Sequence, residues 1–193
     1  MEIERKVKYE AELDKNFLRE IIELSHCEEI ERCIQCGTCS SSCPMAIYMD
    51  YPPRKIMAMI KEGFKKEVLK SFTIWLCSSC YTCTVRCPAQ IKITDVMYAL
   101  KRKAIEDGVY PARFSIPVLD KEMTKIIKST GRNWEMGVVL KLYLKTNPLG
   151  LLKMAPIGLK LMKTGRMGLK RESIKNKKQL RNLLDLVKEE VNA

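Results

Sequence analysis

The sequence has little that would support membrane insertion or substrate chemistry. It contains one histidine, His26, and no uninterrupted run of eighteen apolar residues. The most apolar stretch, residues 148–162, contains Lys153, Pro156 and Lys160, which make it too short and too charged to span a bilayer. No glycine-rich fingerprint follows a predicted strand, so no flavin or nicotinamide site is recognisable. Because a lone histidine beside an apolar helical face is usually structural, we expect no substrate chemistry on this chain alone.

Opposite charges are unevenly distributed along the chain, whose formal net charge is +12. Residues 1–112 carry 17 Lys and Arg against 16 Asp and Glu, whereas residues 113–193 carry 18 against 7. The first part is therefore nearly neutral and the second strongly basic. A basic segment of this kind is either a solvated surface or a docking surface for an acidic partner.

Cysteine, by contrast, is abundant, with nine residues. Eight of them form two copies of the run C-x2-C-x2-C-x3-C-P, whose first cysteines lie 44 positions apart. This run is typical of proteins with two [4Fe–4S] clusters, in which the fourth cysteine of each run ligates the other cluster and the proline turns the backbone away. The first cluster is therefore assigned Cys33, Cys36, Cys39 and Cys87, and the second Cys77, Cys80, Cys83 and Cys43.

Other interpretations of the cysteines fit less well. The first fifteen residues are charged throughout and do not resemble a signal peptide, which disfavours a disulfide framework. Structural zinc uses paired C-x2-C motifs and has no need of a triple followed by C-P. Reduced thiolates predict a reducing, cytoplasmic setting. The ninth cysteine, Cys27, is expected to be a small buried residue on the first helix, or alternatively a redox-active thiol near a cluster.

Helical periodicity dominates, and it predicts an all-α fold. Asp14, Asp50 and Thr94 are expected at helix starts, and Gly63 and Gly108 at helix ends. The predicted helices cover residues 14–25, 50–63, 65–74, 94–103, 118–129, 134–145, 149–162 with a kink at Pro156, and 173–191. The predicted buried faces include Ile56, Met59, Ile60, Ile93, Val96, Met97, Leu100 and Ala104.

The two cysteine runs are joined by a mostly helical segment rather than by β-hairpins, which predicts a helical ferredoxin domain that binds two [4Fe–4S] clusters. We assign residues 1–110 to an N-terminal helix and this domain. The segment YPARFSIP, from Tyr110 to Pro117, is predicted to be a linker. Residues 111–193 form a basic helical tail that is expected to dock on partner subunits.

Several segments together resemble the iron-sulfur C subunit of the soluble heterodisulfide reductase of methanogens. They are the two cysteine runs, P-R-K-I after the first run, IWLCSSCYTCTVRCP, IKITDVMYALKRKA, GRNWEMG and TNPLGLLKMAPIGLKLM, and they span about residues 20 to 170. The resemblance implies an electron-transfer role between two partners. One is a flavin-containing subunit, and the other is the catalytic subunit that reduces the mixed disulfide of coenzyme M and coenzyme B.

The resemblance also implies a larger complex with a hydrogenase or a formate dehydrogenase. In this family, the catalytic partner holds its clusters with adjacent cysteines, and no Cys-Cys pair occurs in the present sequence. The resemblance therefore points to the electron-transfer chain of the complex rather than to the catalytic one.

Three alternatives remain open at this point. The cysteine runs alone also resemble helical ferredoxin domains of fumarate reductase, succinate dehydrogenase and glycolate-oxidase-type proteins. The basic tail could serve an iron-sulfur regulator that binds nucleic acid, although it contains no recognisable recognition module. It could also lie on an anionic membrane surface. We favour an electron relay, with no nucleic-acid partner and no transmembrane segment.

Local residues are expected to tune the clusters of such a relay. Small residues keep the loop backbone close to the sulfurs, or simply reflect turn composition. They are Gly37, Thr38, Ser40, Ser41, Ser42, Ser78, Ser79 and Thr82. Arg86 and Lys92 could raise the potential of the nearer cluster, or could be ordinary surface charges.

Overall fold

The computed structural model describes residues 9–110, 114–166 and 172–192. Helix makes up 68% of the structure and no strand occurs among the described residues, which confirms the predicted all-α fold. The chain divides into two compact units, Met1–Tyr110 and Pro111–Ala193. Across the described ranges, no helix is long and apolar enough to cross a bilayer.

The first unit consists of short helices around one long helix. The helices are α1 (Phe17–Ser25), α2 (Thr38–Ser41), α3 (Pro53–Lys61), α4 (Lys65–Lys70), α5 (Thr73–Leu76), α6 (Thr82–Val85) and α7 (Ile93–Glu106). Short 3₁₀ turns cover Glu10–Glu12, Glu28–Arg32 and Ala46–Tyr48. Helix α7 packs against α1, α4, α5 and α6, and it forms the centre of the unit.

The core of this unit follows the predicted apolar faces. All eight residues predicted on the buried faces of α3 and α7 are buried, with exposed fractions of 9% or less. Phe17 and Ile21 of α1 are fully buried as well. Burying aliphatic side chains of this size stabilises the fold by about 1.5–3 kcal/mol each, and this burial fixes the helices that carry the cysteine loops.

Both glycines predicted at helix ends adopt the left-handed conformation. Gly63 has φ of 80° and Gly108 has φ of 67°. The N–H of Phe64 donates to the carbonyl oxygen of Met59 over 2.9 Å, as expected after a left-handed glycine. A Cβ atom at Gly63 would lie 2.6 Å from the backbone oxygen of Asp14, so a side chain has no room there.

The predicted helix starts were wrong at three positions. Helix α1 begins at Phe17, because Oδ1 of Asp14 accepts a hydrogen bond from the N–H of Asn16 and closes a separate turn. Asp50 does not cap α3, since its carboxylate accepts a hydrogen bond of 2.6 Å from the N–H of Phe72. Thr94 lies inside α7, which begins one residue earlier.

The helix predicted at residues 65–74 is two helices. Ser71 is extended, with ψ of 142°, and separates α4 from α5. Its hydroxyl donates to the carbonyl oxygen of Val68 over 2.8 Å, so the side chain competes with the helical hydrogen-bond pattern.

The second unit contains four helices among its described residues. They are α8 (Ser115–Thr130), α9 (Glu135–Thr146), α10 (Pro148–Lys163) and α11 (Lys177–Asn192). The predicted linker was wrong at its end, because Pro117 lies in the first turn of α8, where proline is tolerated. Residues 111–113 of that linker lie outside the described residues.

The carboxylate of Glu122 connects helices α8 and α9. Glu122 is only 4% exposed. Its oxygens lie 3.8 Å from Nζ of Lys125 and 3.6 Å from Nζ of Lys141, and they also accept a hydrogen bond from Lys145. Because two of these lysines belong to α9, the buried carboxylate ties the two helices together.

Candidate iron-sulfur sites

The eight cysteines of the two runs surround two recesses in the first unit. Each recess is small, with a cavity volume of about 20 Å³. The cysteines that line the first are Cys33, Cys36, Cys39 and Cys87. Those that line the second are Cys43, Cys77, Cys80 and Cys83. Each recess therefore combines three cysteines of one run with the fourth of the other, and all nine cysteines of the chain are free thiols.

The two recesses are neighbours. Ile93, the first residue of α7, lines both of them. Helix α3 also borders both recesses, because Pro53 lines the second and Met57 the first. Groups bound in the two recesses would therefore share Ile93 and helix α3 as neighbours.

The two cysteine loops share an unusual backbone conformation. Gln35 and Ser79, which are 44 positions apart, have φ of 57° and 56°. Gly37 and Tyr81, at the same offset, have φ of 82° and 61°. Non-glycine residues rarely adopt positive φ, and such strain concentrates at functional sites. The repeated turns direct the first three sulfurs of each run towards one recess.

A hydroxyl after the third cysteine of each run holds the helix that follows the run. The Oγ atom of Ser40 accepts a hydrogen bond of 2.9 Å from the N–H of Arg54, the second residue of α3. At the equivalent position, Oγ1 of Thr84 accepts one of 3.1 Å from the N–H of Thr94, the second residue of α7. Both hydroxyls thus satisfy free N–H groups at a helix start. Sequence reasoning missed Thr84, although its offset of 44 from Ser40 was visible in the repeat.

Hydroxyl and amide groups also contact the sulfurs directly. Thr38 and Thr82 place Oγ1 at 3.4 Å from Sγ of Cys36 and Cys80, respectively. Nε2 of Gln35 donates to Sγ of Cys33 over 3.3 Å. Thr38 and Thr82 thus contact the sulfurs through their side chains, whereas the hydroxyls of Ser41 and Ser42 donate to the backbone oxygen of Thr38 and stabilise the turn.

The environment of the thiols differs between the surface and the interior. Hydrogen bonding to Thr38 lowers the pKa of the Cys36 thiol, and hydrogen bonding to Thr82 does the same to the pKa of Cys80. Burial raises the pKa of the thiols of Cys39, Cys43 and Cys83. A buried thiolate is costly unless a cationic group compensates it, so these inward-facing thiols suit iron ligation.

The donor set fits a metal-sulfur cluster better than a single ion. Each recess offers four thiols, the soft ligands that select zinc, copper(I) or iron-sulfur clusters. Within the described part of the chain, no three His, Cys, Asp or Glu side chains are arranged as they would be around one metal ion. Four thiols around one recess match the four cysteine ligands of a [4Fe–4S] cubane, and this donor set occurs twice.

Of the two roles considered for Arg86 and Lys92, the structure agrees with ordinary surface charges. Arg86 and Lys92 are exposed and line neither recess. Among the described residues, Arg54 is the one charged residue that lines the first recess, and no described charged residue lines the second. Nζ of Lys101 donates to the backbone oxygen of Cys77 over 2.9 Å and supports the second loop from outside.

Fold and site together define a helical [4Fe–4S] protein with an electron-transfer role. A family model described as a 4Fe-4S dicluster domain matches residues 29–91. The chain is 34% identical over 168 residues to the C subunit of the H(2):CoB-CoM heterodisulfide,ferredoxin reductase of Methanothermobacter marburgensis, in an alignment that covers 65% of this chain and 90% of that protein. It belongs to the family of iron-sulfur C subunits of CoB–CoM heterodisulfide reductases.

Other members of the family are matched over shorter lengths. The iron-sulfur C subunit of the CoB–CoM heterodisulfide reductase of Methanopyrus kandleri is 38% identical over 106 residues, which cover 51% of this chain and 55% of that protein. The chain therefore spans about half the length of this relative. The C subunit of the Ferredoxin:CoB-CoM heterodisulfide reductase of Methanosarcina acetivorans is 41% identical over 80 residues, or 42% of this chain and 32% of that protein.

Proposed function

We propose that this chain is the electron-transfer subunit of a heterodisulfide reductase complex. It holds two [4Fe–4S] clusters, with Cys33, Cys36, Cys39 and Cys87 as ligands of the first and Cys77, Cys80, Cys83 and Cys43 as ligands of the second. It passes single electrons from a flavin-containing subunit to the catalytic subunit. There, two electrons and two protons convert the disulfide CoM–S–S–CoB into the thiols HS–CoM and HS–CoB.

The observation that carries the proposal is the pair of neighbouring four-thiol recesses with Ile93 between them. A flavin delivers two electrons and a disulfide accepts two, whereas each cubane exchanges one at a time. Two clusters in adjacent recesses allow these single transfers to follow one another. The chain's own contribution is to fix the distance between the clusters and to set their environment.

Each recess also has a way for electrons to enter or leave. Cys36 and Cys80, at equivalent positions in the two runs, are exposed cysteines. Exposed apolar side chains lie in the same loops, namely Ile34 at 67% and Tyr81 at 47% exposure. A partner that covers either loop brings its own redox group close to a cluster ligand. Two such loops suit a chain that contacts a donor and an acceptor.

We also propose that the basic tail docks on a partner subunit, and that α10 is the part of the tail best suited to this contact. No residue of α10 is buried. Its exposed apolar side chains, which we call the α10 surface, are Leu149, Leu152, Ile157 and Leu159, each at least half exposed. Lys153, Lys160 and Lys163 of the same helix add positive charge. An apolar and basic helix suits an acidic protein groove, and an anionic membrane or nucleic acid is the competing occupant.

Iron and spin analysis tests the relay. Anaerobically purified full-length chain should contain about eight irons, and reduction should yield two interacting [4Fe–4S]⁺ centres in electron paramagnetic resonance spectra. Four or fewer irons in a fully loaded sample would contradict the two-cluster proposal.

Co-purification tests the partners. A tagged chain isolated from its native cells should carry a flavoprotein and a second iron-sulfur protein with adjacent cysteines. The double variant Leu149→Glu/Leu152→Glu should lose at least one of them, whereas the matched pair Leu183→Glu/Leu186→Glu on α11 should retain both. If the α10 variant instead keeps both partners and loses binding to anionic vesicles or nucleic acid, the docking proposal is wrong.

A further inference from the structure

The two recesses differ at several equivalent positions, and one of these differences is a charge. Arg54 and Thr94 are both the second residue of the helix that follows a cysteine run, and each donates its backbone N–H to the hydroxyl after the third cysteine. Arg54 lines only the first recess and Thr94 only the second. The equivalent position therefore carries a cation at one site and a neutral hydroxyl at the other.

The side chain of Arg54 crosses the first cysteine loop. A Cβ atom placed on Gly37 would lie 3.6 Å from Cδ of Arg54, so the arginine stem passes over the residue that follows Cys36. No described carboxylate forms an ion pair with Arg54. Arg54 is exposed, and no carboxylate in the described part of the chain neutralises its charge.

Thr94 gives the second recess a different kind of interaction. Its Oγ1 lies 3.8 Å from Sγ of Cys83 and 3.0 Å from Oγ1 of Thr84, and the residue is 1% exposed. When Cys83 binds iron as a thiolate it has no proton, so in that state the Thr94 hydroxyl would donate to Cys83 and accept from Thr84. The second site thus has a buried hydrogen-bond donor where the first has a charge.

We propose that Arg54 is a positioning residue that raises the reduction potential of the first cluster selectively and so makes the two steps of the relay unequal. This inference rests on the proposed function, because it requires a cluster in each recess. Reduction by one electron adds one negative charge to a cubane, and a nearby cation therefore favours the reduced form. Arg54 acts on the first recess because its side chain borders that recess alone.

Helix α3 offers a matched control for this charge. Lys55 follows Arg54 directly, but its Nζ lies over the ring of Tyr51, 4.7 Å from the centroid, and Lys55 lines neither recess. Arg54→Gln and Lys55→Gln remove the same unit of charge from adjacent positions of one helix. Arg54→Lys keeps the charge and tests whether the guanidinium shape matters.

The experiment is an anaerobic redox titration of the full-length chain, followed by electron paramagnetic resonance. Arg54→Gln should shift one of the two midpoint potentials to a more negative value and leave the other unchanged. Lys55→Gln should shift neither, and Arg54→Lys should restore most of the wild-type value. Thr94→Val alters the second recess, so it should shift the midpoint potential of the other centre.

Several results would overturn the inference. One is that both midpoint potentials of Arg54→Gln stay unchanged or shift equally. Another is that Lys55→Gln shifts a midpoint potential as much as Arg54→Gln does. A third is that Arg54→Gln loses iron and Arg54→Lys loses it as well. A wild-type chain with a single centre would overturn the proposed function together with the inference, and the iron count distinguishes that outcome from the others.

Discussion

The Sγ atom of Cys27 accepts a hydrogen bond from the backbone N–H of Lys92 over 3.4 Å, across 65 positions of sequence. Cys27 is fully buried, which confirms the expectation of a small buried residue, although it lies just after α1 rather than on it. His26, which ends α1 in the left-handed conformation, turns the chain at this point. Lys92 directly precedes α7 and follows Cys87 by five positions. Cys27 therefore anchors the segment that carries the fourth cysteine of the first recess.

Replacement of Cys27 should weaken this segment without removing a cluster ligand. Cys27→Ala leaves the N–H of Lys92 without its acceptor and opens a small cavity, at a cost of about 1–3 kcal/mol. Hydrogen exchange followed by mass spectrometry should show faster exchange in peptides that contain Lys92. Cys27→Ser keeps an acceptor and should show a smaller effect. The iron content of both variants should match the wild type, and a loss of half the iron would instead make Cys27 a ligand.

In the proposed ligation, the fourth cysteine of each run binds the cluster held by the other run. This arrangement predicts which thiols become open to alkylation when a fourth cysteine is replaced. In Cys87→Ala, the thiols of Cys33, Cys36 and Cys39 should become reactive towards iodoacetamide, while those of Cys77, Cys80 and Cys83 stay protected. Cys43→Ala should give the opposite pattern. Mass spectrometry of the alkylated peptides reads each cysteine separately. Loss of protection within the same run as the substitution would contradict the crossed ligation.

The hydroxyl of Thr94 should tune the second cluster through Cys83. Thr94→Val is close to isosteric but removes the donor, so the midpoint potential of one centre should become more negative. Thr94→Ser restores a hydroxyl and should bring the potential back towards the wild type. The measurement is the same redox titration. If Ser and Val variants shift the midpoint equally, packing rather than the hydrogen bond is responsible.

Glu122 should make the stability of the second unit depend on pH in the acid range. The hydrogen bond from Lys145 lowers the pKa of Glu122, and the charges of Lys125 and Lys141 add to this effect against the opposing effect of burial. Because the pKa is lower in the folded state than in the unfolded state, the carboxylate stabilises the fold above its unfolded pKa of about 4.3, and this contribution is lost as pH falls through the folded value.

Glu122→Gln should therefore destabilise α8 and α9 by about 1–3 kcal/mol at neutral pH. The difference from the wild type should shrink as the pH falls below about 4, since the wild-type carboxyl is then protonated too. Hydrogen exchange in peptides from these two helices measures both effects. Glu172→Gln is the control, because Glu172 and its partner Arg132 are both 61% exposed and such pairs contribute about 0–1 kcal/mol. Equal effects of the two substitutions would contradict the role of Glu122.

Local sequence rules worked where local forces decide the structure. Gly63 and Gly108 end their helices as predicted, because a left-handed residue after a helix favours glycine whatever surrounds it. Asp14, Asp50 and Thr94 failed as caps because each side chain has another partner: the N–H of Asn16, the N–H of Phe72 and the hydroxyl of Thr84, respectively. The partners of Asp50 and Thr94 are brought to them by the fold, so these two failures could not be predicted from local sequence.

The sequence by itself determined the helical class of the fold and the eight thiols, because helical periodicity and cysteine spacing are properties of short segments. It also indicated how those thiols divide into two sets. Only the tertiary structure decided that the two recesses share Ile93, that Arg54 rather than Arg86 or Lys92 borders the first, and that Cys27 anchors Lys92. These relationships depend on how α1, α3 and α7 pack, and side chains far apart in sequence meet only after that packing is complete.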